Sequence, residues 1–157
     1  MTLRLRVTPE LRYVGSHLFE LRGLAVVERH IFVEGASDVV RMLVVHFEAF
    51  LAGVDDLYRY ALHDTRVLGG EGYGRMASVM SLRAEIEESP GAEMAHTQEF
   101  IRSKGLRIGD RHAVARYARI VGEDRRKEVL IFYHEVDGST EGIYERAESA
   151  MGLIAAP

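Results

Sequence analysis

Apolar and polar residues alternate along much of this chain, and the alternation predicts strands first. Leu3, Leu5 and Val7 fall on one side of residues 2–8, Arg4 and Arg6 on the other, and Pro9 ends the run. Two further strands are read at Leu11–Leu21 and Leu24–Val33, divided at Arg22-Gly23. In the second, Val27, Arg29, Ile31 and Val33 share one face, and Val26, Glu28, His30 and Phe32 share the other. Neither face is purely apolar, so the pattern leaves the buried one undetermined.

Val39–Leu51 fits two periods. As a helix it would gather Val39, Val40, Leu43, Val44, Phe47, Phe50, Leu51 and Val54 on one face, with Ser37 as cap and Gly53 as terminator. Its β-branched and aromatic density suits a strand, which a turn at 53–56 would join to another at Leu57–Leu62. The strand reading is preferred; the alternative makes 37–68 a helical hairpin. Gly69–Gly74 reads as a flexible turn, because no Lys or Ser/Thr follows as a phosphate loop requires.

Residues 75–88 carry Met76, Val79, Met80 and Ile86 at helical spacing and predict a helix. Ser89-Pro90 ends it and opens a second, capped by Ser89, which runs through Met94, Phe100 and Ile101 to Lys104 and stops at Gly105. Ala113–Val121 and Glu128–Val136 flank the polar loop 122–126 and predict a hairpin. After Asp137-Gly138, Ser139 or Thr140 caps a last helix striped by Ile143, Ala147, Ala150, Met151 and Ile154. The sum is a single α+β domain over 1–157, an antiparallel sheet packed by segregated helices and closing on a β-hairpin followed by a helix.

Composition narrows the chemistry. The chain has no Cys, no Trp and no Asn, and 18 Arg against 2 Lys. Without thiols there is no disulfide framework, cysteine–zinc site or thiol nucleophile. No apolar run approaches a signal segment or a membrane span, which points to a cytoplasmic chain with no membrane partner. The net charge of −4 hides a polarity. Residues 102–127 hold nine basic and three acidic side chains, a local +6 set against −10 over the remainder. Pairing of these arginines with acidic side chains is the first expectation. An anion grip by Arg116 or Arg119 is the second, and nucleic-acid contact through the hairpin the weakest.

Two His–Glu pairs stand at strand spacing, Glu28 with His30 and His46 with Glu48, and each pair projects to one side of its strand. If the two pairs converged they would suit acid–base work or ligand binding. No H-E-x-x-H, H-x-H or facial-triad spacing supports a metal, and no cofactor is expected. No family motif emerges. The expected function is binding of a small anionic or apolar molecule in a pocket between sheet and helices, by a homodimer of two identical chains. The candidate ligand-binding residues are Glu28, His30, His46, Glu48, Arg116 and Arg119. The alternatives are a small enzyme with a His/Glu general base and an Arg anion clamp, and an interaction module built on the basic hairpin at 102–127.

Overall fold

Alternation of apolar and polar residues is what half-buried antiparallel strands produce, and the computed structural model, which describes residues 3–60 and 64–154, is built on an antiparallel sheet. Its strands are β2 (Arg12–Leu21), β3 (Ala25–Glu34), β4 (Arg41–Phe50), β5 (Thr65–Leu68), β6 (Glu71–Ser81), β7 (Arg111–Val121) and β8 (Lys127–Val136). They lie in the order β2-β3-β4-β8-β7-β6-β5, and every neighbouring pair is antiparallel. Helices α1 (Leu82–Glu88) and α2 (Glu93–Ser103) fall between β6 and β7; α3 (Ile143–Ala150) follows β8. A separate ribbon pairs β1 (Arg4–Val7) with β9 (Met151–Ile154). The architecture is α+β, and mostly antiparallel sheet.

The central pairing joins β4 to β8, two strands with most of the chain's second half between them. One face of the sheet carries Ile31, Val33, Met42 and Val44, which pack with Val39, Ile101 and Leu106. The opposite face carries Leu43, Tyr73, Ala113, Ala115, Tyr117, Val129, Ile131 and Tyr133 and is covered by Ile143, Ala147 and Ala150 of α3. That cover stops short of β2 and β3, where Leu18 (68% exposed) and Val26 (36%) meet solvent.

The hairpin, the strands at 12–21 and 25–34, and the Gly105 stop of α2 follow the sequence reading. Val39–Leu51 resolves as the strand β4. The partner strand expected at Leu57–Leu62 does not form: Leu57–Tyr60 have no regular structure, and residues 61–63 lie outside the described part. Instead Tyr58 N–H donates to the Arg125 carbonyl at 2.8 Å, laying the segment over the hairpin loop.

Three helical readings need correction. Residues 75–81 are strand: Met76 and Met80 lie on one face of β6 and Ala77 and Val79 on the other, so no helical stripe exists. The helix starts only at Leu82, where the Ser81 hydroxyl accepts from Ala84 N–H at 3.2 Å. Of the glycine cluster, Gly69-Gly70 alone makes the turn, both in the left-handed region, and Glu71–Gly74 already belong to β6. Ser89 does not open the next helix; Ala92 is the N-cap of α2. The last helix is preceded by left-handed Gly142 rather than capped by Ser139 or Thr140. It ends at Ala150, because Met151–Ile154 straighten to pair with Arg4–Val7. The helices fall in two groups along the chain, α1 and α2 after six strands and α3 after the β7–β8 hairpin.

Gly35, between β3 and β4, turns the chain at φ +128°, and a Cβ built there would stand 1.9 Å from the Asp38 carbonyl oxygen. Arg12 Nη1 donates to the Gly35 carbonyl, fixing the turn from β2. Gly35→Ala is expected to lower stability by about 2–3 kcal/mol in a denaturant melt. A loss below about 0.5 kcal/mol would mean that the turn relaxes freely.

Candidate functional site

The strand register decides which candidate residues meet. Arg29 pairs with His46 and Val27 with Glu48 across β3 and β4, so these side chains share the α2-covered face. His46 then pairs with Leu130 and Glu48 with Glu128 across β4 and β8, and Phe132 pairs with Arg116 across β8 and β7. His46, Glu48 and Arg116 thus lie on one face. Glu28 and His30 lie on the other, where Glu28 pairs with Phe47. There His30 Nε2 meets the Glu28 carboxylate at 2.6 Å and Nδ1 meets the Tyr13 hydroxyl at 3.0 Å, in the open. The two His–Glu pairs do not converge. Arg119 also faces away from Arg116 and pairs with Glu71 at 3.0 Å.

Beside Glu28 is an apolar hollow of about 240 Å³, with Leu18, Val26, Phe47 and Val129 among its walls and Lys127, Glu48 and Glu128 also in its lining. The polar site is built from strand positions of the other face. Arg29, 3% exposed, donates from Nη1 to Thr97 Oγ1 at 2.9 Å and from Nε to His46 Nδ1 at 2.9 Å. Its guanidinium carbon sits 5.3 Å from the Phe132 ring centroid. Burial lowers the Arg29 pKa to about 10, so the group stays cationic at neutral pH. An arginine nitrogen only donates, so His46 Nδ1 must accept and its proton must sit on Nε2. That Nε2–H donates to Glu48 Oε2 at 2.8 Å, and the Tyr58 hydroxyl donates to Oε1 at 2.8 Å. The imidazole is neutral, because burial and then the nearby Arg29 charge depress its pKa more than Glu48 raises it.

These bonds set the two carboxyl groups apart. Burial alone would raise the Glu48 pKa, but donation from His46 and Tyr58 holds it below the usual range. Glu128, 8% exposed, receives no such bond among the described residues. Burial, then the Glu48 charge across the strand pair, pushes it up to about 7, while Arg116 pulls the other way. One carboxylate is therefore ionised and its neighbour is close to half-protonated at neutral pH, a pattern characteristic of functional acid pairs. The Tyr60 hydroxyl lies against Glu128 without a hydrogen bond of proper geometry, and Arg116 Nε is likewise buried without a partner among the described residues. Tyr60 opens onto a shallow depression of about 440 Å³ lined also by Leu57, Arg59 and Arg125.

His46, Glu48 and Glu128 bring one donor atom each within 4.8 Å of one another, a spacing a metal ion could use. The tautomer argues against it. With Arg29 on Nδ1, the Nε2 that faces the carboxylates carries a hydrogen and offers no lone pair. The trio is an acid–base cluster.

The basic segment is largely used within the fold. Arg107 pairs with Asp38 at 2.8 Å, Arg111 donates to the Gly138 carbonyl, and Arg126 donates to the carbonyls of Leu51, Val54 and Asp56. The partners are thus Asp38, Glu71 and loop carbonyls, not the glutamates of the helices. Among the described residues no helix is long and apolar enough to cross a membrane.

Sequence reasoning missed Glu128, Arg29, Tyr58, Tyr60 and Thr97. A faint signal existed for Arg29, a charged residue set between Val27 and Ile31 on the same strand face. Glu128 had none, because its role arises only from pairing opposite Glu48. No family model, curated protein or solved structure matches this chain.

Glu128 fixes a pH dependence whose sign is clear. Its folded pKa is raised above 4.5, so the folded state binds the proton more tightly and its stabilisation is full below pH 4.5 and lost as pH rises to about 7. Glu128→Gln removes this titration. The variant should gain about 3 kcal/mol relative to the parent chain between these limits, in denaturant melts at stepped pH. A pH-independent difference would show that Glu128 titrates normally. Separately, Zn²⁺ should leave the thermal midpoint unchanged; a rise would show that Arg29 gives up Nδ1 and the imidazole turns to bind metal.

Proposed function

We propose that this chain is a small-molecule-binding protein whose recognition centre is Glu128 with Tyr60 and Arg116, at the open end of the crevice between sheet and helices. The observation that carries this reading is a set of hydrogen-bonding groups without partners. Glu128 is more than nine-tenths buried; the Tyr60 hydroxyl against it, and Arg116 Nε, whose charge acts on it from β7, are buried and unbonded among the described residues. An unsatisfied buried polar group costs about 1–3 kcal/mol, and two of them around a nearly buried carboxyl are explained most simply by a molecule that completes them. The middle of the crevice offers no such room, since Ile31, Val33, Met42 and Val44 fill it against Ile101 and Leu106. Of the residues singled out in the sequence, Arg116 contacts the ligand in this reading. Glu48 sets the charge state of Glu128, and His46 positions Glu48.

A second reading, a small enzyme, is favoured by the ionised Glu48 facing a protonatable Glu128. Such a pair can supply a general acid and an electrostatic stabiliser within one site. Both readings place the reacting or bound molecule at the same atoms.

A library of small polar fragments, followed by ligand-observed NMR, tests the site. Binders to the parent chain should lose their signal with Tyr60→Phe/Arg116→Met, while circular dichroism reports an unchanged fold. Binders that are indifferent to both substitutions would sink the proposal.

A further inference from the structure

We infer that this site takes a small monocarboxylate, held by Arg116 and Tyr60 and sharing a proton with Glu128, so that anion and proton are bound together. The inference rests on the binding reading above and adds the chemical class of the ligand.

The donor and acceptor inventory points to it. Glu48 is the natural acceptor in the cluster, but both its oxygens already receive donors, His46 Nε2–H at 2.8 Å and the Tyr58 hydroxyl at 2.8 Å. What remains uncommitted is mostly donor capacity, the Tyr60 hydroxyl and Arg116 Nε, to which Glu128 adds an O–H donor when it is protonated. A ligand completing these groups must bring acceptors. Positive charge flanks the approach, with Arg59 and Arg125 lining the depression that Tyr60 shares. A cation would meet those arginines first and then find no free carboxylate except one that has lost its proton beside Glu48.

Among anions, a carboxylate fits better than a phosphate. Its two oxygens match a guanidinium and a hydroxyl while one of them accepts the Glu128 proton. A phosphate carries up to two negative charges at neutral pH and would face Glu48 across the strand pair, with Glu93 of α2 adding to the repulsion.

The proton must accompany the ligand. Every neighbouring element presents a group to Glu128: Glu48 from β4, Arg116 from β7, Tyr58 and Tyr60 from the segment after β4, and Glu93 from α2. Of these, Arg116 alone is a cation. An incoming anion adds a negative charge to this set and drives Glu128 to its protonated form. No bond other than O–H is made or broken, and the proton comes from solvent.

Propanoate is the probe, with propylammonium and inorganic phosphate as comparisons, titrated calorimetrically in Hepes and in Tris. At pH 7 the heats in the two buffers should differ by an uptake of about half a proton per propanoate, and affinity should fall about tenfold per pH unit above that. Glu128→Gln, which holds the neutral form, should bind propanoate with an affinity independent of pH, and Arg116→Met should lose binding. Propanoate binding without proton uptake, or phosphate binding tighter than propanoate, would overturn the inference. Binding of propylammonium alone, abolished by Tyr60→Phe, would overturn the ligand class while leaving the site in place. If no probe binds and none shifts the NMR signals of Tyr60 or Arg116, both the inference and the site fall.

Discussion

The site depends on a cation placed where cations are costly. Arg29 sits in the interface between the sheet and α2, 3% exposed, with no carboxylate in direct contact among the described residues. Taking a charge out of water costs several kcal/mol unless strong partners replace the solvent. Here the partners are a threonine hydroxyl on α2, an imidazole on β4 and an aromatic face on β8. Each comes from a different element, so Arg29 ties the helix to the centre of the sheet. It also dictates the proton on His46, and through it the direction in which Glu48 is bonded. The charge that balances Arg29 is therefore held one imidazole away, on a carboxylate that cannot easily be protonated.

From there the sheet does the rest. Antiparallel pairing sets residue 48 of β4 directly opposite residue 128 of β8, and like charges in that position repel. A pair of glutamates in such a register has few stable solutions. Glu48 keeps its charge because two donors point at it, so Glu128 must yield, and its proton is retained towards neutral pH. The asymmetry arises from hydrogen bonding, since both groups are buried and both sit near cations. Tyr60 then borders the less satisfied carboxyl, and the Arg116 charge acts on it from β7.

What could be read beforehand followed local rules. β2 and β3 showed themselves by alternation, the hairpin of β7 and β8 by two β-rich runs around a polar loop, and the end of α2 by Gly105. Residues 75–81 misled because Met76, Val79 and Met80 suit either period, and their half-exposed places on β6 demand little of either. The turn into β9 was hidden because what ends α3 is the β1 strand at the other end of the chain. The two His–Glu pairs show most clearly where reading stops. Both have strand spacing, and both form a hydrogen-bonded pair. Which face each takes is a matter of parity: Arg29, and not Glu28, shares a face with His46. One step of register would reverse that choice, and register between strands is set by whole faces rather than by any residue along one of them.

The cost of the Arg29–His46–Glu48 chain argues about its purpose. Well-packed apolar residues in place of a buried ionic group are often neutral or stabilising, by about 1–4 kcal/mol. Val27, Ile31, Val44 and Phe132 surround the chain and show that the interface accepts apolar packing. Stability alone does not account for an arginine, a histidine and a glutamate at its centre. What the chain provides that a leucine cluster would not is a carboxylate fixed in its ionised state against a second carboxyl, near a cationic opening. A fold under stability constraints alone would have no use for that arrangement. The expense is intelligible when the ionised Glu48 is seen as the means of holding a proton on Glu128.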